Sequence, residues 1–162
     1  MKLFSSSKKT VETPYSFQER FGEINRIAII YPEKQEWLRI ARYALQNLFR
    51  MPESFEFLIL LPAGADESYA SAEFELGDMI YSPDKAARDR LRNRLSAYDP
   101  DILLQLEPEP DERLIKLLRT LDIGLKIGFG PEDSGLNIIY SQKRTGFYEK
   151  NILNLVALLE SK

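Results

Sequence analysis

The chain has 162 residues, a formal net charge of −3, 44% hydrophobic and 29% charged residues, an ordinary composition for a globular protein. It has no cysteine and no histidine, which excludes disulfides, thiolate nucleophiles, cysteine-based zinc sites and the commonest general base. Its small negative charge provides no attraction for nucleic acid, and no run of about 18 apolar residues is present to form a transmembrane segment.

The first 24 residues differ in composition from those that follow. They are polar and rich in serine and lysine, and we expect a loosely held arm over residues 1–24 and one domain over residues 25–162. The arm opens without the apolar stretch of a signal peptide. By elimination, we expect a cytoplasmic location of the bacterial type.

The first strand and helix are joined by a turn that lacks glycine. Residues 26–31 predict a buried strand, and a helical stripe of apolar residues runs from Trp37 to Leu48. Many nucleotide-handling α/β domains open in this way, with a glycine-rich turn that brings the backbone close to a phosphate. Here the connection, residues 31–36, contains no glycine and two carboxylates. The usual phosphate site is therefore missing from the sequence.

The rest of the chain alternates between strand and helix patterns. Asp84 is a favourable N-cap for one of the helices. The predicted strands are residues 55–61, 78–81, 101–106, 123–129 and 136–140, and the predicted helices are residues 84–98, 110–121 and 148–159. Such alternation implies right-handed crossovers. We predict one Rossmann-like α/β domain of three layers, with a mostly parallel sheet of about five or six strands and helices on both faces.

Three segments together resemble one known family. Residues 98–106 read Tyr-Asp-Pro-Asp-Ile-Leu-Leu-Gln-Leu and are similar to the "YDLVIDLQ" strand of heptosyltransferase-type glycosyltransferases. Residues 125–129, Leu-Lys-Ile-Gly-Phe, stand where those enzymes have an "R-I-G-F" motif, and residues 147–155 resemble the helix that closes their N-terminal domain. The resemblance covers residues 25–160. It implies the acceptor-side, N-terminal half of a GT-B glycosyltransferase.

The chain departs from that family where the family's chemistry lies. The resemblance would require a Gly-Asp pair after the first strand, with the aspartate as catalytic base, and this chain has Tyr31-Pro32-Glu33 there. The family's donor nucleotide-sugar is held mainly by a second domain, and this chain ends at Lys162, before such a domain begins. We therefore carry over no catalytic residue, expect a non-catalytic half-domain, and lean against an enzyme.

An acidic loop follows the strand predicted over residues 101–106. It carries the carboxylates of Glu107, Glu109, Asp111 and Glu112 at the edge where ligands of open α/β sheets bind. Oxygen ligands of this kind suit Mg²⁺ or Ca²⁺, and two carboxylates can divide acid and base roles. The same residues also fit an exposed, proline-stiffened loop whose last acids favour a helix N-terminus. We favour the exposed loop, and so expect no metal site and no cofactor.

Two glycine-containing loops end strands at the same edge. Residues 62–66 and residues 128–135 allow close approach of the backbone to a ligand, although turn chemistry explains both of them, and we favour turns. The candidate ligand-binding residues of all three loops are Gly64, Asp66, Glu107, Glu109, Asp111, Gly128, Gly130 and Glu132.

Two functions remain open on these observations. The first is a non-catalytic interaction or scaffold module, with a protein partner or as a homodimer, which predicts an exposed apolar patch. The second is a protein or enzyme that binds a nucleotide, sugar phosphate or metal with loops 62–66, 107–112 and 128–135, which predicts a concave site containing a carboxylate. The missing histidine, cysteine and glycine-rich turn favour the first.

Overall fold

The computed structural model of the protein describes residues 24–50, 55–62, 84–140 and 145–160. The strand predicted over residues 78–81 and the candidates Gly64 and Asp66 lie outside the described residues. The elements in chain order are β1 (Arg26–Ile30), α1 (Gln35–Phe49), β2 (Glu56–Leu60), α2 (Lys85–Tyr98), β3 (Ile102–Gln105), α3 (Glu112–Thr120), β4 (Lys126–Phe129), β5 (Ile138–Tyr140) and α4 (Thr145–Glu160).

The five strands within the described residues form one parallel sheet in the order β2-β1-β3-β4-β5. β1 lies between β2 and β3. The chain therefore places β2 on one side of β1, and then places β3, β4 and β5 on the other side. The C-terminal ends of β1 and β3 therefore form the topological switch point, where ligands of open α/β sheets usually bind. The predicted parallel α/β fold is confirmed.

Helices cover both faces of the sheet, because the strands are apolar on both sides. Ile27 and Ile29 belong to a core formed with α1 and α4, whereas Ala28 and Ile30 belong to a second core formed with α2 and α3. Consecutive side chains of a strand point to opposite faces, so a continuous apolar strand needs a helix layer on each side. Trp37 is buried in the first core against the ring of Tyr148.

The observed boundaries lie within three residues of the predicted ones, and two of the differences are informative. The helix predicted from Pro110 begins at Glu112, because the side chain of Asp111 accepts a hydrogen bond from the Leu114 amide at 2.9 Å and acts as the N-cap. The strand predicted from residue 123 begins at Lys126, because pairing with β3 starts there. The hydrophobic pattern alone did not indicate this starting point. The predicted N-cap Asp84 is confirmed, since its side chain accepts from the Ala86 amide at 3.0 Å.

Candidate functional site

A buried carboxylate lies at the switch point between β1 and β3. Glu107 follows β3 and is only 6% exposed. Its Oε2 accepts a hydrogen bond from the Glu33 amide at 2.9 Å, and its Oε1 accepts one from the Glu109 amide at 3.1 Å. The carboxylate thus joins the loop after β1 to the loop after β3.

This arrangement places an anionic group of the protein itself where the fold would hold an anionic ligand. The Glu33 amide lies two residues ahead of α1, in the loop that leads to a helix start where a phosphate usually binds. Here that amide donates to Glu107. An ion pair of 3.4 Å between Lys34 Nζ and Glu109 Oε2 ties the same two loops together. Side chains of the protein itself therefore connect the two loops at the switch point.

Burial raises the pKa of Glu107 above its ordinary value. Hydrogen bonds from the amides of Glu33 and Glu109 oppose that rise, and the nearby carboxylates of the same two residues add to it. The desolvation of the charged form outweighs the two hydrogen bonds. Glu107 is therefore held in place at some electrostatic cost to the folded state.

We expect protonation of Glu107 to stabilise the fold. Because the folded-state pKa is raised, the contribution of Glu107 is fully present below the unfolded pKa and is lost as the pH rises through the folded pKa. Glu107→Gln removes this titration. Urea unfolding of both proteins between about pH 4 and about pH 7 should show the stability of the wild type falling relative to the variant as the pH rises.

Asp111→Asn provides a control in which the change of stability with pH has the opposite sign. Burial alone would raise the pKa of Asp111, but the hydrogen bond from the Leu114 amide and the Arg113 guanidinium outweigh it, so the pKa is lowered. Asp111 therefore stabilises the fold above its unfolded pKa, and that stabilisation is lost as the pH falls. The account of Glu107 would be contradicted if the free energy of unfolding of the wild type rose with pH relative to that of Glu107→Gln.

Gly128 is a structural glycine within β4. A Cβ at this position would clash with the Gln105 carbonyl oxygen of the neighbouring strand. Gln105 is fully buried, and its Nε2 donates to the carbonyl oxygens of Phe129 at 2.7 Å and Glu107 at 2.9 Å. The sequence reasoning missed Gln105, although a polar residue inside an apolar strand is a signal that it has buried partners.

A pocket lies beside the switch point, at the C-terminal ends of β3, β4 and β5. Its volume is about 540 Å³, and the loops over residues 107–112 and 128–135 both contribute to its walls. Its described lining residues are Pro108, Pro110, Gly130, Pro131, Glu132, Ile139 and Tyr140. Burial raises the pKa of Tyr140 above its ordinary value.

The structure separates the candidate residues into groups. Gly130 and Glu132 line the pocket. The acidic residues of the loop after β3 instead bond to the chain itself, and Gly128 lies within the sheet. The sequence reasoning missed Ile139 and Tyr140, because nothing in a short strand indicates which end closes a pocket. Within the described ranges, no group of three or more acidic side chains is arranged to hold a metal ion.

Comparison with known proteins supports the fold. No protein-family model matches the chain, and no curated protein matches it significantly in sequence. The structure is similar to the E. coli heptosyltransferase WaaC, solved with ADP-2-deoxy-2-fluoro heptose, with a TM-score of 0.58 and 17% sequence identity. The predicted resemblance in fold is confirmed. The match covers 82% of this chain and 47% of that chain, so this chain spans about half the length of the enzyme.

None of the helices in the described part of the chain combines the length and the apolar character needed to cross a membrane.

Proposed function

We propose that this chain is a non-catalytic, glycosyltransferase-like domain that acts as an interaction module, with a second copy of itself as the partner. The observation that carries the proposal is a self-complementary stripe of side chains on α4. Phe147, Asn151, Asn154 and Leu158 recur at spacings of four, three and four residues. That spacing keeps them on one side of the helix, as in the seam of a coiled coil.

The two ends of the stripe are exposed although they are apolar. Phe147 is 45% exposed and Leu158 is 42% exposed, at opposite ends of α4. A different side of α4 is buried against the sheet through Tyr148, Ile152, Leu155, Val156 and Leu159. A helix that is apolar on more than its core side usually has a second surface to cover. The exposed ends of the stripe therefore support an interface.

The order of residues along the stripe favours a second copy as the occupant. An antiparallel two-fold axis between Ile152 and Leu153 brings Phe147 opposite Leu158 of the second copy, and Asn151 opposite Asn154. Each apolar side chain then meets an apolar one, and each amide meets an amide with matching donor and acceptor. No like charges face each other, because the stripe carries none. Asparagine in a helix seam also fixes register.

The arrangement at the switch point supports the non-catalytic part of the proposal. Glu107 accepts from the Glu33 amide, so one amide of the loop before α1 is already used by the protein itself. The loop that would carry a catalytic Gly-Asp pair by resemblance has Tyr31-Pro32-Glu33 instead. We infer that the shared fold serves here for assembly.

Sedimentation equilibrium tests the proposal with two matched variants. Leu158 and Leu153 are both 42% exposed on α4, but only Leu158 belongs to the stripe. We expect a wild-type dimer with a dissociation constant up to about 0.1 mM, consistent with a small interface. Leu158→Glu should raise that constant at least about tenfold, since the two-fold symmetry introduces the charge twice.

Leu153→Glu is the control, and its dimer dissociation constant should stay within about a factor of two of the wild-type value. Equal weakening by the two substitutions would contradict the stripe as the interface. A monomeric wild type at about 0.5 mM, well above the expected dissociation constant, would overturn self-association and leave a different protein as the partner.

A further inference from the structure

The two loops at the switch point are joined by a carboxyl group that accepts at both of its oxygens. Oε2 of Glu107 accepts from the Glu33 amide at 2.9 Å, and Oε1 accepts from the Glu109 amide at 3.1 Å. An ionised carboxyl group accepts at either oxygen, whereas a protonated one carries a hydrogen on one oxygen and accepts well only at the other. The observed pair of bonds therefore suits the ionised form.

The backbone of Glu107 is fixed independently of its side chain. Its amide donates to Gln105 Oε1, and its carbonyl oxygen accepts from Gln105 Nε2 at 2.9 Å. The neighbouring Leu106 carbonyl oxygen accepts from the Tyr148 hydroxyl at 2.7 Å. Gln105 and Tyr148 are both fully buried. A change at the carboxyl group is therefore taken up by the two loops, and not by the backbone of Glu107.

Burial and neighbouring charges both favour the neutral form of this carboxyl group. Glu107 is only 6% exposed, and burial is the largest cause of its raised pKa. The carboxylates of Glu33 and Glu109, one on each loop, raise the pKa further. Lys34, a cation of the first loop, pairs with Glu109 Oε2 at 3.4 Å. Glu107 therefore takes up its proton at a higher pH than an exposed glutamate does.

We propose that Glu107 is a proton-dependent latch between the loop after β1 and the loop after β3. The ionised form holds the amides of Glu33 and Glu109 together, and protonation removes one of these two bonds, so that the loops loosen while the strands stay paired. The second loop supplies Pro108 and Pro110 to the pocket wall, and the latch therefore also holds that wall in place.

The loosening of the loops agrees with a gain in stability of the whole fold on protonation. Removing a buried charge outweighs the loss of one hydrogen bond, so the same proton stabilises the fold and releases a loop. The latch goes beyond the proposed function, because it requires neither the stripe on α4 nor a second copy.

NMR of the ¹⁵N-labelled full chain tests the latch between about pH 3 and about pH 7. Glu107→Gln imitates the protonated form at every pH, since its side chain has one acceptor oxygen and one donor nitrogen. As the pH falls, we expect the wild-type amide proton of Glu33 or Glu109 to move upfield towards its position in Glu107→Gln. At about pH 7, that amide should exchange with solvent at least about threefold faster in Glu107→Gln than in the wild type.

The matched control combines Glu33→Gln with Glu109→Gln. This double variant removes the two neighbouring carboxylates and keeps that of Glu107, so the response of the amides to pH should remain. The proposal is overturned if neither amide proton moves with pH, if the response persists in Glu107→Gln, or if it disappears in the double variant. Equal exchange rates in the wild type and Glu107→Gln at about pH 7 would also overturn it.

Discussion

Gly128→Ala should unfold the protein or destabilise it by at least about 3 kcal/mol. The added Cβ would clash with the carbonyl oxygen of Gln105 and lie 2.7 Å from its Cβ, and a backbone oxygen cannot rotate away as a flexible side chain can. The substitution therefore forces β3 and β4 apart. That movement also disrupts the hydrogen bond from Gln105 Nε2 to the Phe129 carbonyl oxygen, which joins the same two strands.

Gly124→Ala is the matched control for this change. A Cβ at Gly124 would have no heavy atom within 4 Å, and Gly124 precedes β4 in the same segment of the chain. We expect its stability to stay within about 0.5 kcal/mol of the wild type in urea unfolding. Equal stability of the two variants would mean that β3 and β4 do not approach each other as described.

Tyr148→Ala should destabilise the protein by about 3–5 kcal/mol, the range for truncating a buried aromatic residue. Tyr148 is fully buried, and its ring centroid lies 4.8 Å from that of Trp37 and 5.0 Å from that of Phe129. Its hydroxyl donates to the Leu106 carbonyl oxygen at 2.7 Å. One side chain thus joins α4 to α1 and to the ends of β3 and β4.

Tyr148→Phe separates the ring from the hydroxyl, and it should lose only about 1–2 kcal/mol, the cost of leaving the buried Leu106 carbonyl oxygen unsatisfied. Tyr43→Ala serves as the surface control, because Tyr43 is 62% exposed on α1, and it should change stability by less than about 0.5 kcal/mol. Urea unfolding ranks the three variants. A loss for Tyr148→Ala no larger than that for Tyr148→Phe would contradict the packing role of the ring.

The fold could be predicted from the sequence because its signals are local. The stripe that begins at Trp37 repeats at helical spacing and is buried as predicted, and the apolar strand over residues 102–105 is buried on both faces. Strand ends were less predictable. Where β4 begins depends on pairing with β3, and a continuous apolar run, typical of a strand buried on both faces, does not mark that starting point.

The arrangement at the switch point could not be predicted, because its contacts are distant in sequence. Glu107 and the Glu33 amide are 74 residues apart, and only the order of β1 and β3 in the sheet brings them together. The sequence indicated that carboxylates lie at this edge. It did not indicate that Glu107 turns inward to an amide while Glu109 remains exposed. A role for Gly130 and Glu132 in binding stays a prediction.

Disulfide trapping tests self-association through α4 most directly, since the chain has no cysteine of its own. Phe147→Cys and Leu158→Cys are prepared separately, mixed in equal amounts and oxidised. The antiparallel stripe predicts a disulfide-linked heterodimer of the two variants, and little covalent dimer from either alone, because like positions lie about 16 Å apart along the helix axis. Equal covalent dimer from the mixture and from each variant alone, or monomer throughout, would contradict it.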